Sequence, residues 1–157
     1  MSERYVLDTS VYVGAWRNED ERRALAAFVR RHASRLLLSA VVLLELRAGA
    51  RTDDAALALE EFESAFGGRG GIVVPGASAY REAGRALADL AVRERLAAGA
   101  IPAALVNDAL LAASCREQRA TLLTRNGADF ARLARELRGF RWRVADVVAR
   151  GAAAPVG

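Results

Sequence analysis

Four carboxylates interrupt apolar surroundings along the chain. Asp8 follows Tyr5, Val6 and Leu7 and precedes two hydroxyls, Thr9 and Ser10. Glu45 lies in SAVVLLELRAGA, Asp108 in IPAALVNDALLAASC and Asp129 in TLLTRNGADF. On a helix, Glu45 has Val41, Val42, Ala48 and Gly49 three and four positions away, and Asp108 has Ala104, Leu105, Leu111 and Ala112, so neither acid finds a local ion pair. An unpaired carboxylate facing a core is unfavourable unless a cation pairs it or a wet cleft receives it. Three or four oxygen ligands without imidazole or thiolate describe a site for a hard cation, Mg²⁺ or Mn²⁺. Mutual repulsion raises the pKa of at least one such acid, and a bound ion reverses that penalty. An ion held this way keeps positions for water and a phosphate oxygen, the chemistry of metal-assisted phosphodiester hydrolysis.

Each acid also has an ordinary structural use. Asp8 suits a helix N-cap. Glu45 could reach Arg47 or Arg51 at the edge of its helix, and Asn107 or Asp108 could cap a helix that starts later. Asp129 has Arg125 and Arg132 at helical distance, the pattern of a surface ion pair. Thr124, Asn126 and Asp129 nevertheless follow a strand-like run directly, at the same sheet edge as Asp8.

The composition excludes several other chemistries. The single cysteine, Cys115, forbids an internal disulfide, and a lone histidine, His32, forbids a zinc site of the usual Cys/His kind. Every basic residue is arginine, which removes the P-loop lysine and the Schiff-base amine. With His32 outside the acidic motifs, no imidazole is placed to act as general acid. The net charge of +4 permits a polyanionic partner without establishing one. Met1 to Glu3 leads into a short strand rather than a secretory signal, and the most apolar stretch, Leu36 to Leu46, is too short to span a bilayer, so a cytoplasmic protein is expected.

At 157 residues, 53% apolar and with three prolines, the chain fits one packed domain over residues 1–150, followed by a loose tail at 151–157. Strand-like runs lie at Arg4 to Leu7, Arg35 to Leu38, Gly71 to Val74, Ala120 to Leu123 and Arg141 to Val144. Helical periodicity covers Glu19 to Arg31, Ala40 to Ala50, Asp54 to Phe66, Ser78 to Leu96 and Ala103 to Arg116. Such alternation predicts an α/β domain with a parallel sheet covered on both faces, and in such sheets the functional crevice lies beyond the carboxyl ends of the strands.

The order of LDTSV, LLELRAG, NDALLAASC and TLLTRNGADF resembles the PIN-domain ribonucleases, and among them the VapC-type toxins of toxin–antitoxin systems. The resemblance runs from Arg4 to about Val148. It implies a PIN-like three-layer α/β/α sandwich with a central five-stranded parallel sheet. By position, Asp8, Glu45 and Asp108 match the family acids that hold the metal, with Asp8 and Asp108 as direct ligands, and Asp129 matches a fourth, more variable acid. Thr9, Ser10, Thr124 and Asn126 match polar residues that support the site or its waters. The implied function is Mg²⁺- or Mn²⁺-dependent cleavage of RNA by a toxin, with a homodimer and a small antitoxin partner. A catalytically silent PIN-fold binding subunit is the alternative. A haloacid-dehalogenase-like phosphatase needs a second aspartate where Ser10 stands, and a lysine that the chain lacks.

Elsewhere, Cys115 reads as core and His32 as a solvated or dipole-paired group near a helix end. Arg22, Arg23, Arg30, Arg31, Arg138, Arg141 and Arg143 suit either phosphate contacts or a solvated face. Tyr12 and Trp16 could stack on a base, pack inward or meet a second copy.

Overall fold

The structure, a computed structural model, describes residues 2–145. Five strands form one all-parallel sheet: β1 (Arg4–Leu7), β2 (Leu36–Ser39), β3 (Ile72–Val73), β4 (Ala120–Thr124) and β5 (Arg141–Val144), in the order β3-β2-β1-β4-β5. The central strands are the most apolar because both of their faces are covered: every residue of β4 is buried, as are Tyr5, Val6 and Leu7 of β1. β1 pairs with β4 from Arg4 opposite Ala120 to Leu7 opposite Leu123.

Seven α-helices connect the strands: α1 (Thr9–Arg17), α2 (Glu19–His32), α3 (Ala40–Gly49), α4 (Asp53–Gly67), α5 (Ala77–Arg93), α6 (Ala103–Glu117) and α7 (Gly127–Ala134). From β1 the chain steps outward to β2 and β3, then crosses to β4 and steps outward again to β5. With right-handed crossovers, that reversal places α1–α4 on one face of the sheet and α5–α7 on the other, a three-layer α/β/α sandwich. The strand order reverses between β1 and β4, so a crevice opens at the carboxyl ends of those two strands. Asp8 and Thr124 stand there.

Most differences from the sequence reading are at element ends. β2 starts at Leu36 because Ala33–Arg35 forms a 3₁₀ turn, and β3 shortens to Ile72–Val73. α5 stops at Arg93 instead of reaching Leu96. Arg95 adopts a left-handed conformation (φ 54°), its amide donates to the Val92 carbonyl at 3.2 Å, and the Leu96 amide donates to the Ala91 carbonyl at 2.9 Å, a Schellman-type stop. His32 is half-buried rather than solvated, packed edge-on against Tyr5 and tilted on Phe28, with centroids 5.1 and 4.4 Å away. Cys115 is buried in the core. The expected loose tail lies outside the described residues. No helix among those residues is long and apolar enough to cross a membrane.

Candidate functional site

The backbone carries Asp8 one step past β1. Its amide donates to the Leu123 carbonyl at 2.8 Å, continuing the β1–β4 ladder up to the acid, after which the chain turns into α1. Asp8 is buried, and both of its oxygens are engaged. Oδ1 accepts the Thr9 amide at 2.8 Å, so the capping role read from the sequence holds. Oδ2 accepts the hydroxyls of Ser10 and Thr124, each at 2.8 Å. Those hydroxyls are themselves fixed by backbone amides: Arg125 N–H donates to Ser10 Oγ at 3.1 Å, and Asn126 N–H to Thr124 Oγ1 at 3.0 Å. Each hydroxyl oxygen accepts from the backbone and therefore turns its own proton toward Asp8. A carboxylate has about four lone-pair directions, so three donors leave one open for a cation.

Glu45 lies in the second turn of α3, whose first turn is capped by the buried Ser39 (Val41 N–H to Oγ, 3.2 Å). The Thr9 hydroxyl donates to Glu45 Oε2, and the Asn107 amide donates to Oε1 at 3.3 Å. Glu45 thus ties α3 to α1 and α6. Arg47, its suggested partner, pairs with Glu63 instead.

Asp108 is in the second turn of α6, which begins at Ala103, so neither it nor Asn107 caps that helix. It is half-buried, and among the described residues no donor holds it. Burial first, and then the charges of Asp8, Asp129 and Glu45, push its carboxyl up to about 7. Asp129 sits in the first turn of α7 and accepts Arg132 Nη1 at 2.6 Å. The same guanidinium grips Glu94 with a two-pronged contact at 2.9 and 2.5 Å. Arg125, the other candidate partner of Asp129, pairs with Glu21 at 3.1 Å.

The eight residues singled out from the sequence thus meet at one sheet edge. Asn126 contributes there through its backbone, and its exposed side chain makes no capping bond to α7. Tyr12 is buried against Phe62, with centroids 5.1 Å apart, which ends its candidacy for stacking. Sequence reasoning missed the donation from Asn107 and the Glu94 clamp, because their partners stand 62 and 38 positions away and only the fold brings them near.

As the side chains stand, no three acidic, imidazole or thiol groups among the described residues converge closely enough to hold an ion. The donor chemistry nevertheless fits a hard divalent cation: every ligand atom is oxygen, Asp8 keeps one open direction, and Asp108 stands in the field of three other acids. Asp108 is also the acid whose rotation breaks no hydrogen bond.

A sequence profile described as the PIN domain matches residues 5–136. Among solved structures, the chain resembles one in DNA-bound VapBC from Salmonella typhimurium, with 20% identity, coverage of 91% of this chain and 98% of that one, and a TM-score of 0.68. It resembles a chain of VapBC2 from Rickettsia felis, bound to a promoter DNA fragment, with 21% identity, 89% and 97% coverage and a TM-score of 0.64. For VapBC-1 of nontypeable Haemophilus influenzae the values are 20%, 89% and 96%, and 0.65. At such identities the likeness is one of fold. No curated protein matches the chain by sequence.

Proposed function

The chain belongs to the PIN-domain family, and from that premise we propose that it is a divalent-cation-dependent endoribonuclease, the toxin of a toxin–antitoxin pair. The observation that carries this reading is the gathering of Asp8, Glu45, Asp108 and Asp129 at the β1/β4 crevice, where burial first, and then the charges of the other three, raise the Asp108 carboxyl to about 7. Carboxylates so placed strain an apo protein and serve a cationic one.

Asp8 and Asp108 would hold Mg²⁺ or Mn²⁺, with Glu45 and Asp129 beside them. When bound, such an ion supplies a nucleophilic water and neutralises charge developing at phosphorus. The chain's own residues prepare that chemistry. Ser10 and Thr124 aim Asp8, since both donate to the same oxygen. Thr9 and Asn107 orient Glu45 from two sides. Arg132 restrains Asp129 and, through Glu94, anchors it to the residue that ends α5. Asp108, its carboxyl raised to about 7, would be held as the carboxylate when it serves as a ligand to the cation.

RNA as substrate and a homodimer rest on the family resemblance, and a cytoplasmic location on the hydropathy patterning of the sequence. A small antitoxin partner draws further support from the likeness of fold to chains of VapBC structures.

The test is cleavage of mixed-sequence single-stranded RNA by the purified protein, free of any antitoxin, in Mg²⁺ or Mn²⁺ and in excess EDTA, with Asp108→Asn in parallel. Cleavage that needs the cation and disappears in the variant is expected. Cation binding by a folded protein that never cuts RNA would favour the silent binding subunit.

A further inference from the structure

Trp16 and Arg17, the last two residues of α1, line a cleft that Thr9 and Glu45 also line. The cleft, of about 500 Å³, runs between α1, α3 and α4 and is largely apolar, with Val13, Leu46, Leu59 and Phe62 on its walls. Thr9, Val13 and Trp16 share one face of α1 by their spacing. That face carries the hydroxyl bonded to Glu45 and, two turns on, an indole, roughly 10 Å along the helix axis.

Three observations separate this cleft from ordinary core. Trp16 is 55% exposed, while Tyr12, one turn earlier, is 2% exposed. Arg17 is exposed and has no carboxylate partner among the described residues, unlike the ion-paired Arg125 and Arg132. The backbone beneath Trp16 is held in place, because Arg22 donates to the Ala15 carbonyl at 3.2 Å and to the Trp16 carbonyl at 3.4 Å. An acid cluster, an apolar slot with an aromatic edge and an uncompensated guanidinium thus follow one another along one line. A nucleotide chain offers the matching sequence: a phosphate for the cation at the acids, a base for the slot, and the next phosphate for the arginine.

We propose that the cleft is a nucleobase subsite, in which the base adjoining the scissile phosphate stacks on the Trp16 indole while Arg17 takes the flanking phosphate. The proposal rests on the ribonuclease reading and adds to it the residues that position the substrate. Stacking on an aromatic side chain tolerates any base, so the subsite contributes affinity more than sequence choice.

The test uses full-length Asp108→Asn protein, so that RNA is bound without being cut. Affinity is read by fluorescence polarisation for a labelled short single-stranded RNA of mixed sequence, and for the same RNA with each position in turn made abasic. Adding Trp16→Ala to that protein is expected to weaken binding of intact RNA about tenfold, and adding Trp16→Phe to restore most of it. At one abasic position the Trp16-containing protein should lose the same factor and the Trp16→Ala protein nothing more. RNA should also quench a fluorescence component that Trp16→Phe lacks. Unchanged affinity when Trp16→Ala is added to the Asp108→Asn protein, while the wild-type protein cuts RNA, overturns the subsite and leaves the nuclease standing. Unchanged RNA affinity with an altered oligomeric state assigns the cleft to a second copy and overturns it equally. Failure of the wild-type protein to bind or cut RNA at all overturns both readings.

Discussion

Asp8 accepts three hydrogen bonds, and the two hydroxyls among its donors are each held from behind by a backbone amide. Thr124→Val keeps the shape of the side chain but leaves Asp8 short of one donor and the Asn126 amide without its acceptor. A loss of outer-shell support of this kind lowers activity about 10–100-fold. Thr124→Ser should recover most of the cleavage rate, with circular dichroism unchanged in both variants. The second residue-scale prediction concerns pH. The Asp108 carboxyl, ordinarily at 3.8, titrates at about 7 in the folded, cation-free protein. Between those values the folded state binds the extra proton, so the contribution of Asp108 to stability is greatest below the lower value and falls as pH rises through the window. In urea denaturation with EDTA, Asp108→Asn is expected to be more stable than wild type near pH 8 by about 1 kcal/mol, after allowing for solvent screening. That advantage should vanish near pH 4. The acids were legible in the sequence because a carboxylate on an apolar face needs a reason. The Asn107 and Glu94 contacts left no such mark, since polar residues on a helix are ordinary until a distant partner meets them.

Elements set how well those residues are aimed. The bodies of α2 to α6 followed from apolar spacing, whereas the short α1 and α7 lay outside the periodic runs, and helix ends depended on backbone conformation that side-chain patterning does not record. α5 illustrates this: apolar residues continue to Leu96, but Arg95 turns left-handed and ends the helix at Arg93. A non-glycine residue in that conformation carries a steric cost that glycine avoids. Arg95 has no ion pair among the described residues, so Arg95→Gly is expected to raise stability by about 0.5–1 kcal/mol, seen as a higher midpoint in urea with an unchanged slope. Two of the site helices are capped by side chains: Ser39 caps α3 and Asp8 caps α1, so a residue that serves the chemistry also fixes the element that carries Thr9. Asp8, at the end of β1, was therefore informative twice, as a cap and as a site residue.

For the whole molecule, the parallel sheet was predictable from alternating strand-like and helical runs, and the reversal of strand order between β1 and β4 explains why residues from positions 8 to 129 share one crevice. The sequence could not show which rotamers the acids adopt, because that is settled among side chains from five separate elements. As the side chains stand, the acids lie near one another without converging. A bound cation would draw α1, α3, α6 and α7 together, so its effect belongs to the domain rather than to one residue. The most direct test is calorimetric titration of Mg²⁺ or Mn²⁺ into cation-free wild type and Asp108→Asn at about pH 7, in buffers of different ionisation enthalpy. Saturable binding by wild type with release of about half a proton, and neither saturable binding nor release in Asp108→Asn, is the predicted result. Equal binding by both proteins without proton release would contradict it, since the ion would then sit away from Asp108.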